Sequence, residues 1–111
     1  MQIACVRYFD YKYSELSKLL HHSPNGGKRN AREAARFKAM GVRAGFPDLI
    51  LLVENAQYNY LCIELKSAKG TQTDLQHEYQ KIVEKSGGQY RICRSLDDFI
   101  NIIDHYLGKR I

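Results

Sequence analysis

The 111-residue sequence lacks the segments that are typical of membrane and secreted proteins. No apolar run approaches the roughly 20 residues that a helix needs to cross a bilayer. Met1 is not followed by a basic and then an apolar segment, so we expect no secretory signal. The three cysteines, Cys5, Cys62 and Cys93, are an odd number without close spacing, which argues against a disulfide framework or a zinc ribbon. We therefore expect a protein of a reducing, cytoplasmic compartment with no membrane partner.

Internal repeats, low-complexity tracts and linkers are also lacking, so residues 1–111 are expected to form a single domain. The charge is uneven along this domain. Seventeen Lys and Arg residues oppose twelve Asp and Glu residues, for a formal net charge of +5. Residues 1–46 carry nine basic and three acidic side chains, whereas residues 47–111 carry eight basic and nine acidic ones. The first part therefore favours a polyanionic partner.

Apolar periodicity and turn residues predict seven elements. The pattern predicts helices over 2–21, 30–40, 73–86 and 95–107, and strands over 47–53, 58–66 and 89–94. Two apolar faces support the helices: Val6, Phe9, Tyr13, Leu16 and Leu20 in the first, and Leu75, Tyr79, Ile82 and Val83 in the third. The first strand is expected to be buried on both faces and to pair with the second as an antiparallel hairpin. The order α-α-β-β-α-β-α indicates an α/β sandwich around a small mixed sheet.

The hairpin carries the residues with chemical potential. Because strand side chains alternate between faces, Glu64 and Lys66 share the face opposite Leu65, near the end of the second strand. Asp48 opens the neighbouring strand, so an antiparallel pairing brings Asp48, Glu64 and Lys66 together. Two carboxylates can hold Mg²⁺ with waters and phosphate oxygens, and the cation activates a water for attack. The simpler alternative is an exposed Glu–Lys pair beside a turn aspartate, because short motifs often occur by chance.

The wider pattern resembles a known family. Pro47-Asp48, fifteen further residues and Glu64-Leu65-Lys66 match the PD-(D/E)xK signature of a large nuclease superfamily, whose fold is restriction-endonuclease-like. More specifically, the chain resembles the stand-alone VRR-NUC family (virus-type replication-repair nucleases). This resemblance rests on the segments 22–27 (HSPNGG), 41–48 (GVRAGFPD) and 63–67 (IELKS), with Gly70, Gln76 and Gly87-Gly88.

The resemblance implies a metal-dependent phosphodiesterase that uses Mg²⁺ or Mn²⁺ and no organic cofactor. Asp48, Glu64 and the carbonyl of Leu65 would bind the metal, and Lys66 would be the catalytic lysine. Gln76 matches a glutamine that lies near the site in the family. It also fits a capping box with Thr73, and the sequence leaves both interpretations open.

The sequence departs from the family at one position. Such nucleases usually carry an acidic residue near the start of the first helix, whereas this chain begins Met1-Gln2-Ile3. Gln2 or Asp10 could substitute, the residue could precede Met1 in a longer chain, or one metal position could be weakened. One or two metals are therefore compatible with the sequence.

A basic segment precedes the metal-binding motif. Arg32 and Arg36 lie on one face of the second helix with Arg29 at its start, and Arg43 follows the helix. We predict that this surface contacts DNA phosphates, together with Asn25, Gly26 and Lys28 of the preceding loop. The alternative is a solvated helix face and a simple turn.

We therefore expect a DNA endonuclease that acts on branched or structured DNA such as Holliday junctions. By resemblance, it would act as a homodimer in phage or prophage replication or repair. Two alternatives are a DNA-binding module with a degenerate site and a subunit whose activity depends on a larger assembly.

Overall fold

The computed structural model describes residues 1–24 and 30–110. The predicted DNA contacts Asn25, Gly26, Lys28 and Arg29 lie outside the described residues. The elements, in chain order, are α1 (Gln2–Lys12), a 3₁₀ helix (Ser14–Leu19), β1 (Leu20–His22), α2 (Ala31–Ala39), β2 (Leu49–Leu51), β3 (Tyr60–Leu65), α3 (Asp74–Lys85), β4 (Gly88–Cys93) and α4 (Leu96–Leu107).

The sheet has four strands in the order β1-β2-β3-β4. β2 pairs with β3 as the predicted antiparallel hairpin, and β1 extends the sheet antiparallel to β2. β4 runs parallel to β3, after a crossover through α3. The predicted α/β architecture with a mixed sheet is therefore confirmed, although the predicted element order lacks β1.

Helices cover the two faces of the sheet with cores of different size. The larger core buries Leu61 and Ile63 of β3 against side chains of α1 and α4, including Phe9 and Phe99. The smaller core lies on the opposite face, where Cys62 and Tyr90 pack against Val83 of α3. Alternation along β3 therefore sends successive side chains into different cores.

Local capping residues set the helix boundaries as predicted. The side chain of Asn30 accepts a hydrogen bond from Glu33 N at the start of α2, and Ser95 caps α4 in the same way. Gly41, directly after the C-cap of α2, has a φ of +107°, which glycine adopts without a Cβ penalty.

The predicted first helix over 2–21 is wrong beyond Lys12. The backbone leaves the helix at Tyr13 (φ −120°, ψ 51°), continues as the 3₁₀ helix and then forms β1. Leu16 and Leu20 still pack against the larger core, as the apolar periodicity indicated. The pairing of Leu20 with Leu51 of β2 determines the backbone there, and no local pattern reveals that partner.

Two predicted apolar faces are also corrected. The strand over 47–53 shortens to β2 and is not buried on both faces, since Ile50 is half-buried and Leu52 is 57% exposed. In α3, Val83 is buried, whereas Leu75 and Ile82 are exposed. The smaller core contacts only a narrow stripe of α3, so part of its apolar face remains in solvent.

Asp104 of α4 connects the two helices that cover the larger core. Its carboxylate accepts hydrogen bonds from Tyr8 Oη (2.8 Å), Tyr13 Oη (2.7 Å) and Lys12 Nζ (2.9 Å). Burial alone would raise the pKa of Asp104, but these hydrogen bonds outweigh burial and lower it below its usual value.

The cysteines and the helix lengths agree with the composition. All three cysteines are buried free thiols, and burial raises the pKa of Cys62 to about 12. Among the described residues, no helix combines the length and apolar character that a membrane crossing requires.

Candidate active site

Asp48 lies where three strands meet. Its carbonyl oxygen accepts a hydrogen bond from Ser23 N (2.9 Å), one residue beyond the end of β1. Its side-chain Oδ2 accepts a hydrogen bond from Leu65 N (2.7 Å) at the end of β3. Continuing the pairing of Leu49 with Ile63 by one residue puts Asp48 opposite Glu64. The hairpin therefore joins the aspartate to the ExK segment, as the sequence predicted.

Glu64 is an ionisable side chain inside the smaller face of the sheet. It is only 1% exposed. Its Oε1 accepts a hydrogen bond from the hydroxyl of Tyr90 and a longer one from Gln72 Nε2 (3.5 Å). Its Oε2 accepts no hydrogen bond from any residue that the structure describes. A buried carboxylate oxygen in this state needs a cation or a donor to offset its lost hydration.

Lys66 supplies a positive charge next to that oxygen. Its Nζ lies 3.7 Å from Glu64 Oε2, which is an ion-pair distance but longer than a hydrogen bond. The Lys66 side chain is 14% exposed, so the ammonium group lies at the border between the protein interior and solvent. The two residues share one face of β3, as alternation predicted.

The turn after Lys66 is held by an arginine of the neighbouring strand end. Arg94 Nη1 donates hydrogen bonds to the carbonyls of Ser67 (2.8 Å) and Gly70 (2.7 Å). Gly70 allows this turn to close, because a Cβ there would lie 3.0 Å from Ser67 Oγ and 3.5 Å from Lys66 Cδ. Sequence reasoning assigned no role to Arg94.

The glycine of the GFPD segment brings this segment against α3. Gly45 has a φ of +81°, and a Cβ there would lie 2.7 Å from Leu75 Cβ and 3.0 Å from the Leu75 carbonyl carbon. Both the backbone angle and the space therefore require glycine. The contact connects the approach to Asp48 with the first turn of α3.

The donor set fits a hard divalent cation with few protein ligands. Glu64 Oε2 has no hydrogen-bond donor, and Asp48 lies opposite Glu64. Leu65 directs its N–H toward Asp48, and a strand residue directs its carbonyl to the same side as its N–H. Over residues 1–24 and 30–110, no group of three or more His, Cys, Asp or Glu side chains could hold a metal. A cation here would therefore depend on Asp48, Glu64, the Leu65 carbonyl and oxygens from water or phosphate.

The structure places Gln76 in the capping box, the alternative to a position near the metal. Its Oε1 accepts a hydrogen bond from Thr73 N (2.9 Å), and its own N donates to Thr73 Oγ1 (3.2 Å). The glutamine that reaches Glu64 is Gln72, whose Nε2 also donates to Gln80 Oε1 (2.9 Å). A catalytic role for Gln76 stays a prediction.

Tyr90 is a further site residue that the sequence did not indicate. Burial, the hydrogen bond to Glu64 and the charges of Glu64 and Asp48 together raise the pKa of the Tyr90 hydroxyl well above its usual range. This hydroxyl therefore stays protonated and acts as a donor. A tyrosine on a buried strand face needs such a partner, which is the signal that could have pointed to it.

β1 brings a histidine to the same edge of the sheet. His22 Nδ1 lies 3.2 Å from the Asp48 carbonyl oxygen. Because a carbonyl oxygen only accepts, Nδ1 carries the proton in this contact. The exposed ring therefore lies next to Asp48, a position that the predicted helix over 2–21 did not reveal.

The described basic residues lie on the surface. Arg32 and Arg36 of α2 are exposed, and so is Arg43, whose Nη1 donates to the Lys38 carbonyl (3.1 Å). Their role in DNA contact stays a prediction, as does that of the loop residues outside the described part.

The two in-chain substitutes for the absent N-terminal acid lie on α1. Gln2 is half-buried and Asp10 is exposed. Within the described residues, neither forms a hydrogen bond or ion pair with Asp48 or Glu64. Their assignment stays open between these two positions and a residue preceding Met1.

Comparisons with known proteins agree with this geometry. The VRR-NUC domain model matches residues 3–97. A solved structure described as a VRR_NUC domain protein has a TM-score of 0.84 and 30% sequence identity, over 98% of this chain and 86% of that chain. No curated protein matches the sequence. The family resemblance found in the sequence is confirmed, and the chain belongs to the VRR-NUC family of nuclease-type domains.

Proposed function

We propose that the protein is a metal-dependent DNA endonuclease of the PD-(D/E)xK type. The observation that carries this proposal is the buried Glu64 Oε2, which lacks a hydrogen bond and lies between Lys66 and the Asp48 end of β2. Evolution and folding tolerate such an oxygen where it binds a cation or reacting group, since it otherwise costs stability.

The residues divide the work by position. Asp48, Glu64 and the Leu65 carbonyl would hold Mg²⁺ or Mn²⁺, which would supply Lewis acidity and an activated water when bound. The hydrogen bond from Leu65 N fixes the Asp48 carboxylate against the end of β3. Lys66 would stabilise negative charge that develops on the phosphate or take a proton from the attacking water.

The net charge and the exposed arginines favour DNA as the substrate. Arg32, Arg36 and Arg43 lie before the metal-binding motif and would contact phosphates without reading bases. Replacement of Arg32 and Arg36 by glutamine should weaken binding equally for unrelated sequences. Each lost phosphate contact should reduce the slope of log K against log salt by about 0.9. An unchanged slope would contradict the role of α2.

The proposed substrate is branched DNA, cut by a homodimer. One small domain with one such site cuts one strand, so paired cuts across a four-way junction require a symmetric pair of sites. We place this activity in phage or prophage replication or repair, in the bacterial cytoplasm. Multi-angle light scattering should give twice the monomer mass of 12.8 kDa, and a monomer in the presence of junction DNA would contradict the dimer.

The decisive experiment is cleavage of labelled four-way junction, flap and linear duplex DNA in Mg²⁺, Mn²⁺ or EDTA. We expect cleavage in the divalent ions and none in EDTA, with the junction cut fastest. Asp48→Asn should reduce the rate by at least about 100-fold. Asp97→Asn, a change of an exposed acid in the first turn of α4, is the matched control and should cleave like the wild type.

The same experiment separates the alternatives. Wild-type cleavage in EDTA, or full activity of Asp48→Asn, would refute the metal site. Tight junction binding without cleavage in either ion would instead support a DNA-binding module with a degenerate site.

A further inference from the structure

Tyr90 lies on the strand next to Glu64, within the smaller core. β4 runs parallel to β3 with Tyr90 beside Cys62, so the side chains of Tyr90 and Glu64 emerge on the same face. Tyr90 is 5% exposed and packs with Cys62 and Val83. Its hydroxyl donates to Glu64 Oε1, and a phenylalanine would fill the same space without that bond.

A second donor reaches the same carboxylate oxygen. Gln72 Nε2 lies 3.5 Å from Glu64 Oε1. Gln72 is itself held by Gln80 Oε1 (2.9 Å) and by a contact of its Oε1 with His77 Nδ1 (3.1 Å). The hydrogen bonds to Glu64 thus converge on Oε1 and leave Oε2 without a donor among the described residues.

We infer that Tyr90 is a positioning residue, which holds Glu64 by Oε1 so that Oε2 is presented to the divalent cation beside Lys66. This inference rests on the proposed function. A glutamate has three side-chain torsions, and a fixed Oε1 restricts all three. Hydrogen bonds to a metal-binding side chain orient it in this way, and their removal commonly weakens metal affinity by about 10- to 100-fold.

The test measures metal binding in the absence of DNA. Mn²⁺ is titrated calorimetrically into the wild type, Tyr90→Phe and Tyr106→Phe. Tyr106 is the matched control, because it is 1% exposed and its hydroxyl donates to the Val53 carbonyl (2.6 Å), which is not part of the site. Both variants lose one buried hydroxyl and keep the aromatic ring.

We expect Tyr90→Phe to bind Mn²⁺ about 10- to 100-fold more weakly than the wild type, and Tyr106→Phe to bind within about twofold of it. Junction cleavage by Tyr90→Phe should recover at high Mn²⁺, because positioning affects the occupancy of the site more than the maximal rate. A merely structural role would weaken both variants equally or neither.

The outcomes are distinct. A wild type that binds no Mn²⁺ and cuts no DNA overturns the proposed function and this inference with it. A wild type that binds and cuts, with Tyr90→Phe equal to it, overturns the inference alone. If Tyr90→Phe fails to fold, Gln72→Ala at the half-buried second donor decides. A weakening of about threefold or more supports the inference, and wild-type affinity overturns it.

Discussion

Replacing Lys66 with methionine removes the ammonium group that lies 3.7 Å from Glu64 Oε2, while it keeps a chain of similar length. Glu64 is 1% exposed and that oxygen has no hydrogen bond within the described residues. The variant therefore leaves a buried carboxylate without its positive partner. We expect it to lose both stability and cleavage activity.

The magnitude follows from the geometry of the pair. Breaking a fully buried ion pair by removing one partner costs about 3–5 kcal/mol. Here the separation exceeds a hydrogen bond and the lysine is 14% exposed, so both contributions are smaller. We expect a loss of about 2–3 kcal/mol in the free energy of unfolding. The cleavage rate should fall by about 100- to 1000-fold, as when one charge-stabilising donor is removed from an active site.

The assay is urea unfolding in EDTA, followed by circular dichroism, together with junction cleavage in Mg²⁺. Lys69→Met is the control, because Lys69 is an exposed lysine three residues further along. It should change the free energy of unfolding by less than about 0.5 kcal/mol and leave cleavage unchanged.

A double variant isolates the buried charge from other effects of the methionine. Glu64→Gln combined with Lys66→Met leaves no charge at either position. It should therefore be about 1–2 kcal/mol more stable than Lys66→Met alone, yet remain inactive. Equal stability of Lys66→Met and Lys69→Met in EDTA would refute the reasoning, since Glu64 would then not depend on Lys66.

Asp104→Ala should cost about 2 kcal/mol, measured by urea unfolding at pH 7, because it removes the acceptor of two tyrosine hydroxyls at a partly exposed site. Because the pKa of Asp104 is lowered in the fold, its contribution is present above its unfolded pKa of about 3.9 and is lost as the pH falls through the folded value. The variant should therefore lose less stability than the wild type on acidification, and parallel losses would contradict this. Gly45→Ala should cost about 2–4 kcal/mol, from a positive φ and a backbone clash, whereas Gly41→Ala, with open space around it, should cost about 1–2 kcal/mol. Equal costs by thermal unfolding would show that the contact of Gly45 with α3 is unimportant.

Much of the fold was predictable where a signal is local. The capping residues Asn30, Thr73 and Ser95 begin the helices that the sequence indicated. Each works through a hydrogen bond to a backbone N–H three residues away, so a short pattern contains the information. Alternation along β3 likewise predicted that Glu64 and Lys66 share a face, because a strand's period does not depend on its partners.

β1 could not be predicted in this way, because its backbone depends on a distant strand. Leu20 pairs with Leu51, and the thirty residues between them include α2. The apolar residues of this segment fit a helix equally well, and Leu16 and Leu20 are packed against the core in either conformation. Periodicity identified which side chains pack inward but not the backbone that carries them.

The candidate site divides along the same line. Asp48, Glu64 and Lys66 were found because the hairpin that joins them is short and its register follows from alternation. Tyr90 is 26 residues from Glu64, and the contact exists only once α3 has returned the chain to form a parallel strand. Such a crossover fixes the direction of β4, but its register depends on how α3 packs.

The alternation of β3 also explains how one strand combines stability with an unfavourable buried charge. Leu61 and Ile63 face the larger core, where α1 and α4 bury them completely. Glu64 faces the smaller core, next to Cys62 and Tyr90, where fewer apolar contacts depend on its neighbours. The cost of burying the carboxylate therefore falls on the face that contributes less to the fold, and the larger core holds β3 in place from the other side. Because the two faces belong to one strand, the rigidity of Ile63 is passed directly to the backbone of Glu64, and a site built on such a strand keeps its geometry without a large core of its own.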